Sequence, residues 1–228
     1  MKTFLGKSIL AILLLLALGL KAQFVTPIST ISGTTEVTTL DGKKHQGELR
    51  SASFGPNGVM SFKLIDDAGN GVKYKANEIE QLKIKVDGLA KLEIIAEQSS
   101  NISKLSNSNF KEVVEREYIY WQRFKHPTKE KYYLLQLLNP GFDSKIKVYD
   151  IPGAKSAETS INDVAVSGNE SNAFYVLKNG SSYKVSKKKY KKQDYRLLFS
   201  DCPKLMENEK PDFKFFAQDI FFYSEACE

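Results

Sequence analysis

An aromatic stripe near the C-terminus constrains this chain more than any other feature. Phe213, Phe216, Ala217, Ile220 and Phe221 stand at i, i+3, i+4, i+7 and i+8, the spacing of a helix with one face in a core. Cys227 lies one heptad beyond Ile220 and continues the stripe. The other cysteine, Cys202, precedes Pro203, which disfavours helical geometry at the residue before it and so predicts a helix end there. The next helix can begin near Pro211, where a missing N–H costs nothing. Packing the stripe on a sheet brings Cys227 back beside Cys202, and the pair predicts one disulfide within the chain. A bridge between two chains and a metal site are the alternatives.

Just upstream, residues 175–178 and 182–185 flank Asn179-Gly180, a dipeptide suited to turn positions with φ > 0, and predict a hairpin. At the other end of the chain, Lys2 and Lys7 precede a short apolar run, residues 9–20. A charged start and a run of about 12 residues predict a secretory signal rather than a span, which needs roughly 20. Cleavage is expected after Ala22, giving a mature chain from Gln23 with no transmembrane span; the expected location is the periplasm, the cell surface or the medium. Loss of Lys2, Lys7 and Lys21 lowers the formal charge from +6 to about +3, too little to make the whole chain a polyanion binder.

Between these ends the pattern is that of strands. Residues 36–40, 46–49, 59–65, 72–75 and 79–86 are short and alternating, with Leu82, Ile84 and Val86 separated by polar residues. Five hairpin-connected strands predict a small SH3-like or Sm-like barrel, which hides its strand edges by closing. Residues 89–95 either extend it or start a second sheet. The Ser- and Asn-rich stretch 98–109 reads as a linker. Beyond it, residues 118–124, 132–138 and 145–149 predict an antiparallel sheet, and the small, polar stretch 155–172 a long surface loop. The expected organisation is a signal (1–22), a barrel-like domain (23–97), a linker (98–109), and a sheet with two C-terminal helices (110–228). The fold class is mainly β, of α+β type.

From Tyr132 onward the chain resembles a group of uncharacterised secreted proteins of Bacteroidota-type bacteria. Residues 172–178, Lys189-Tyr190-Lys191-Lys192, residues 198–203 and the aromatic helix ending at Cys227 carry the resemblance. It covers roughly the last 100 residues, and implies that the lysine-bearing segment is a helix ending in the Asp201-Cys202-Pro203 turn. It implies no activity.

Chemistry-bearing residues are sparse. The two histidines, His45 and His126, fall in expected turns, and no metal or nucleophile motif includes them. Residues 66–71 have the composition of a calcium loop, but position 12 is Asn77 where a bidentate Glu is needed, so a hairpin loop is expected. Lys187, Lys188, Lys189, Lys191, Lys192 and Arg196 make a basic face, with Lys184 beside it and Tyr183, Tyr190 and Tyr195 interleaved. Such a face either contacts polyanions, the tyrosines stacking, or is an ordinary solvated helix side. Tyr118, Tyr120, Trp121, Tyr132 and Tyr133 either line a ligand groove or pack across strands. The expected function is a non-catalytic binding or scaffolding module of the cell envelope. The alternatives are a polyanion- or membrane-surface-binding module using residues 184–196, and an enzyme built from scattered carboxylates. Envelope proteins and acidic glycans are the expected partner classes, nucleic acid is disfavoured by export, and no cofactor is implied.

Overall fold

Alternation decides the first half of the chain. A computed structural model describes residues 22–28, 32–99, 109–152, 159–161, 164–167 and 171–227; the expected export signal, apart from Ala22, and most of the expected linker lie outside them. Strands β1 (Gly33–Thr39), β2 (Lys44–Gly55), β3 (Gly58–Ile65), β4 (Gly71–Lys75) and β5 (Ile79–Lys85) follow in order. Val37, Leu49, Phe62, Leu64, Leu82 and Ile84 point inward from them into one apolar cluster.

The barrel needs two further strands. β6 (Tyr118–Lys125) pairs with β5, and β7 (Tyr132–Gln136) pairs with β6. The ring β1–β2–β3–β7–β6–β5 is antiparallel throughout and returns to β1, while β4 flanks β3. Closure is narrow, a single register pair between Val59 and Leu134. Gly58, at φ +139°, stands at this seam, and a Cβ there would fall 2.9 Å from the Leu134 carbonyl oxygen. The barrel is therefore six-stranded, and the boundary expected at residue 97 falls inside it. β7 is buried along Tyr133–Leu134–Leu135–Gln136 because both of its faces are covered.

Residues 89–95 extend no sheet. They belong to helix α1 (Gly88–Ser99), which buries Ala90, Ile94 and Gln98 at i, i+4 and i+8. Asp87 accepts the N–H of Ala90 and caps it, and the run Leu-Ala-Lys-Leu-Glu is rich in helix formers. Gln98 and Ser99, expected in the linker, are thus helical. Helix α2 (Phe110–Glu115) precedes β6. Among the described residues no helix is long and apolar enough to cross a membrane.

The second sheet is small. β8 (Ile146–Tyr149), β11 (Ala173–Lys178) and β12 (Ser181–Ser186) pair antiparallel in the order β12–β11–β8. The expected hairpin stands, with Asn179 and Gly180 both at positive φ in its turn. Within the expected loop, β9 (Thr159–Ile161) pairs with β10 (Val164–Ser167). The Leu137–Tyr149 bridge and the Leu138 N–H to Val148 carbonyl bond join β8 to the end of β7, so the two sheets are continuous there.

Helices cover one face of the small sheet. α3 runs from Lys187–Lys189 through a π-turn at Tyr190–Asp194 into Tyr195–Phe199. α4 (Pro203–Met206) is one turn, and a 3-10 turn at Phe213–Phe215 leads into α5 (Phe216–Ala226). Asp194 is buried and accepts the Ser186 N–H, which satisfies a carboxylate at a position that an α-helix would give to an apolar side chain. The Cys202–Cys227 disulfide is present, with Cα atoms 5.4 Å apart.

One segment ties the two halves together. Residues 22–28 form an extended strap whose Val25 N–H donates to the Leu138 carbonyl and whose Ile28 N–H donates to Gln136 Oε1. Phe24 packs against Phe142, Phe174 and Phe216, while Ile28 belongs to the barrel cluster.

Candidate functional site

The alternation of β6 divides its side chains between a core and a cleft. Ile119 and Trp121 point into the barrel, so Tyr118, Tyr120 and Gln122 share the opposite face. Gln81 of β5 stands directly across from Gln122, and its Oε1 accepts a 2.9 Å bond from Gln122 Nε2. These four side chains floor a cleft of about 320 Å³ where the barrel meets the turn after β7, α2 and the strap.

Three other elements build its walls. The turn after β7 supplies Leu137, Pro140, Gly141 and Asp143; α2 and the two residues after it supply Glu112, Arg116 and Glu117; the strap supplies Val25. A Cβ at Gly141 would fall against Glu112 Oε1, so a side chain there would push the Glu112 carboxylate aside. Arg116 Nη2 donates 2.6 Å to the Thr26 carbonyl, and burial pushes the guanidinium pKa down to about 10, against the opposing pull of Glu97. Arg116 Nε and Nη1 are covered and have no hydrogen-bond partner among the described residues.

Cations already stand beside this floor. Lys83 Nζ lies 4.0 Å over the Tyr118 ring, and Lys147 Nζ lies 3.2 Å from Gln122 Oε1, which also accepts from Tyr149 Oη. Burial raises the Asp143 carboxyl above its ordinary value, and the charge of Lys147 opposes that rise.

The aromatic candidates separate by depth. Tyr118 and Tyr120 line the cleft, as a groove requires. Trp121 is packed in the barrel core, Tyr133 is buried between the sheets, and Tyr132 lies under Arg123 with 4.9 Å from guanidinium to ring centre. Packing is thus the role of the last three, set by strand parity in Trp121 and by cover from both sides in Tyr133. Leu137, Asp143 and Arg116 escaped the sequence reading. Only the fold brings them to β6.

Lys187, Lys188, Lys189, Lys191, Lys192 and Arg196 are all exposed along α3, and Lys184 is exposed on β12. The tyrosines among them do not join that face. Tyr190 Oη donates to Asp219 and Tyr195 Oη to the Leu205 carbonyl, both buried, while Tyr183 packs against the core. The stacking expected of Tyr190 and Tyr195 on a polyanion is therefore excluded by their burial.

His45 is exposed on β2 rather than in a turn, beside Tyr74. His126 lies in the turn after β6, half-buried; its Nδ1 accepts the Thr128 N–H and its Nε2 is 3.1 Å from Tyr175 Oη. Burial, with the charges of Lys129 and Lys184, holds its pKa below the usual imidazole value. Asp66 accepts the Asn70 N–H across a β3–β4 hairpin loop with Gly69 at positive φ, the plain turn expected of that composition. Among the described residues no three His, Cys, Asp or Glu side chains group as a metal site. No protein-family model, no curated protein and no solved structure matches the chain.

Proposed function

We propose that the protein is an exported, non-catalytic binding module of the cell envelope that takes its ligand in the junction cleft. The observation that carries this reading is the cleft itself, where two tyrosines, two amides and an apolar turn converge from four separate chain segments. Small-molecule sites are concave, mostly apolar and furnished with a few placed polar groups, commonly where structural units meet. The buried disulfide suits an oxidising compartment, as does the apolar run at residues 9–20. Neither His45 nor His126 lines the cleft, and its candidate proton carriers are the carboxylates Glu112, Glu117 and Asp143.

Amide-resonance mapping of the mature chain against a mixed small-molecule fragment library tests the proposal. Shifts should concentrate on Tyr118, Tyr120, Gln122, Leu137 and Gly141, and the bound fragments should be recovered chemically unchanged. Shifts confined to other surfaces would defeat the placement. Conversion of a bound fragment would defeat the non-catalytic reading.

A further inference from the structure

We infer that the ligand of the junction cleft is a neutral saccharide; this rests on the binding reading above and adds the ligand's chemistry to it. The first ground is charge. Glu112, Glu117 and Asp143 put three carboxylates in the lining beside the Arg116 guanidinium, and Lys83 and Lys147, which do not line the cleft, stand against Tyr118 and Gln122 of its floor. Charges of both signs therefore stand at the cleft, and neither a cationic nor an anionic ligand meets a wall of purely opposite sign. Tyr118 already carries the Lys83 ammonium on its ring, which removes that ring as an open cation–π platform. The carboxylates likewise oppose an acidic glycan.

The second ground is hydrogen-bonding capacity. Ionised carboxylates only accept, whereas an amide both donates and accepts. Gln81 uses its oxygen for Gln122, and its NH₂ has no partner among the described residues. A hydroxyl both donates and accepts, so vicinal hydroxyls can satisfy the acids and the amide together without adding net charge. The third ground is surface. Tyr120, Leu137, Pro140 and Val25 give the cleft apolar lining on which the C–H face of a pyranose can lie. The volume of about 320 Å³ is at the small end of ligand sites and suits a short oligosaccharide held by about one or two rings.

The test is an amide-resonance titration of the mature chain with five probes: cellotriose, maltotriose, triacetylchitotriose, agmatine and trigalacturonate. At least one neutral trisaccharide should shift Tyr118, Tyr120 and Gln122 saturably, with a Kd that is the same at low salt and at about 0.3 M salt. Tyr120→Leu should weaken that binding by about tenfold or more. Because Tyr120 also packs against the cluster between the sheets, the exposed Glu117→Gln serves as a second variant and should weaken it in the same direction, with thermal unfolding unchanged. Agmatine or trigalacturonate saturating these amides while every neutral probe fails would overturn the saccharide and leave the binding site standing. No response of the cleft to any of the five would also overturn it, and the fragment screen then decides separately whether the cleft binds at all.

Discussion

Asp219 is the residue at which charge and packing conflict most directly. It sits on the buried side of α5, and Tyr190 Oη donates to its Oδ2 at 2.6 Å. Burial pushes its carboxyl up to about 6, against the lowering effect of that hydrogen bond. A folded pKa above the unfolded one means that the native state holds the proton more tightly between about pH 4 and 6. Stability from this group is therefore greatest at the acid end and falls as pH rises through 6. Holding the ionised carboxylate in this site at neutral pH costs roughly 3 kcal/mol. Asp219→Asn keeps an acceptor for Tyr190 and removes the charge. It should match the wild type near pH 4.5 and exceed it by roughly 1–3 kcal/mol at pH 8 in urea unfolding. A difference between the two proteins that does not change with pH would disprove the raised pKa. Sequence periodicity placed Phe216 and Ile220 correctly on the buried stripe. It also placed Phe221 there, yet Asp219 and Tyr223 are more buried. The stripe is rotated because the facing Tyr190 and the Lys178–Asp201 ion pair offer polar partners, which no apolar spacing encodes.

At the scale of elements, the disulfide closes a span of 25 residues that holds α4, the 3-10 turn and α5. In the chain-entropy account a loop of this size contributes roughly 3 kcal/mol. Replacing both cysteines with alanine should therefore cost about that much. Hydrogen exchange should quicken first in α5, where Ile220 and Tyr223 carry the packing, while the amides of β1 and β5 keep their protection. Equal loss across barrel and helix would refute this order. Two other elements were harder to read. Leu89–Ile95 is short enough to suit strand or helix, and Asp87 as cap settles it only once the backbone turns. The run Tyr132–Leu138 is apolar without alternation, the mark of a strand covered on both faces, and it is this strand that closes the barrel and meets the small sheet.

The whole molecule depends on a short segment that no strand or helix pattern marks. The strap is read in the sequence only as the start of the mature chain, because its contacts are all distant: Gln136 and Arg116 both donate to the Thr26 carbonyl, and Gln98 donates to its hydroxyl. Those bonds reach β7, the end of α2 and α1, so one residue serves three elements. On either side of it stand two apolar anchors, Phe24 in the aromatic cluster with Phe174 and Phe216, and Ile28 in the barrel core. If the strap acts as one unit, releasing either anchor frees much of what the other held. Phe24→Ala and Ile28→Ala should each cost roughly 2–4 kcal/mol, as large-to-small changes in packed sites do. The double variant should cost less than the sum by about 0.5 kcal/mol or more, since coupled sites depart from additivity and independent ones do not. Exchange at the Val25 and Ile28 amides, which bond to Leu138 and Gln136, should quicken in both single variants. Additive costs, with each substitution disturbing only its neighbouring amide, would mean that the two cores are held separately and that the strap merely lies between them.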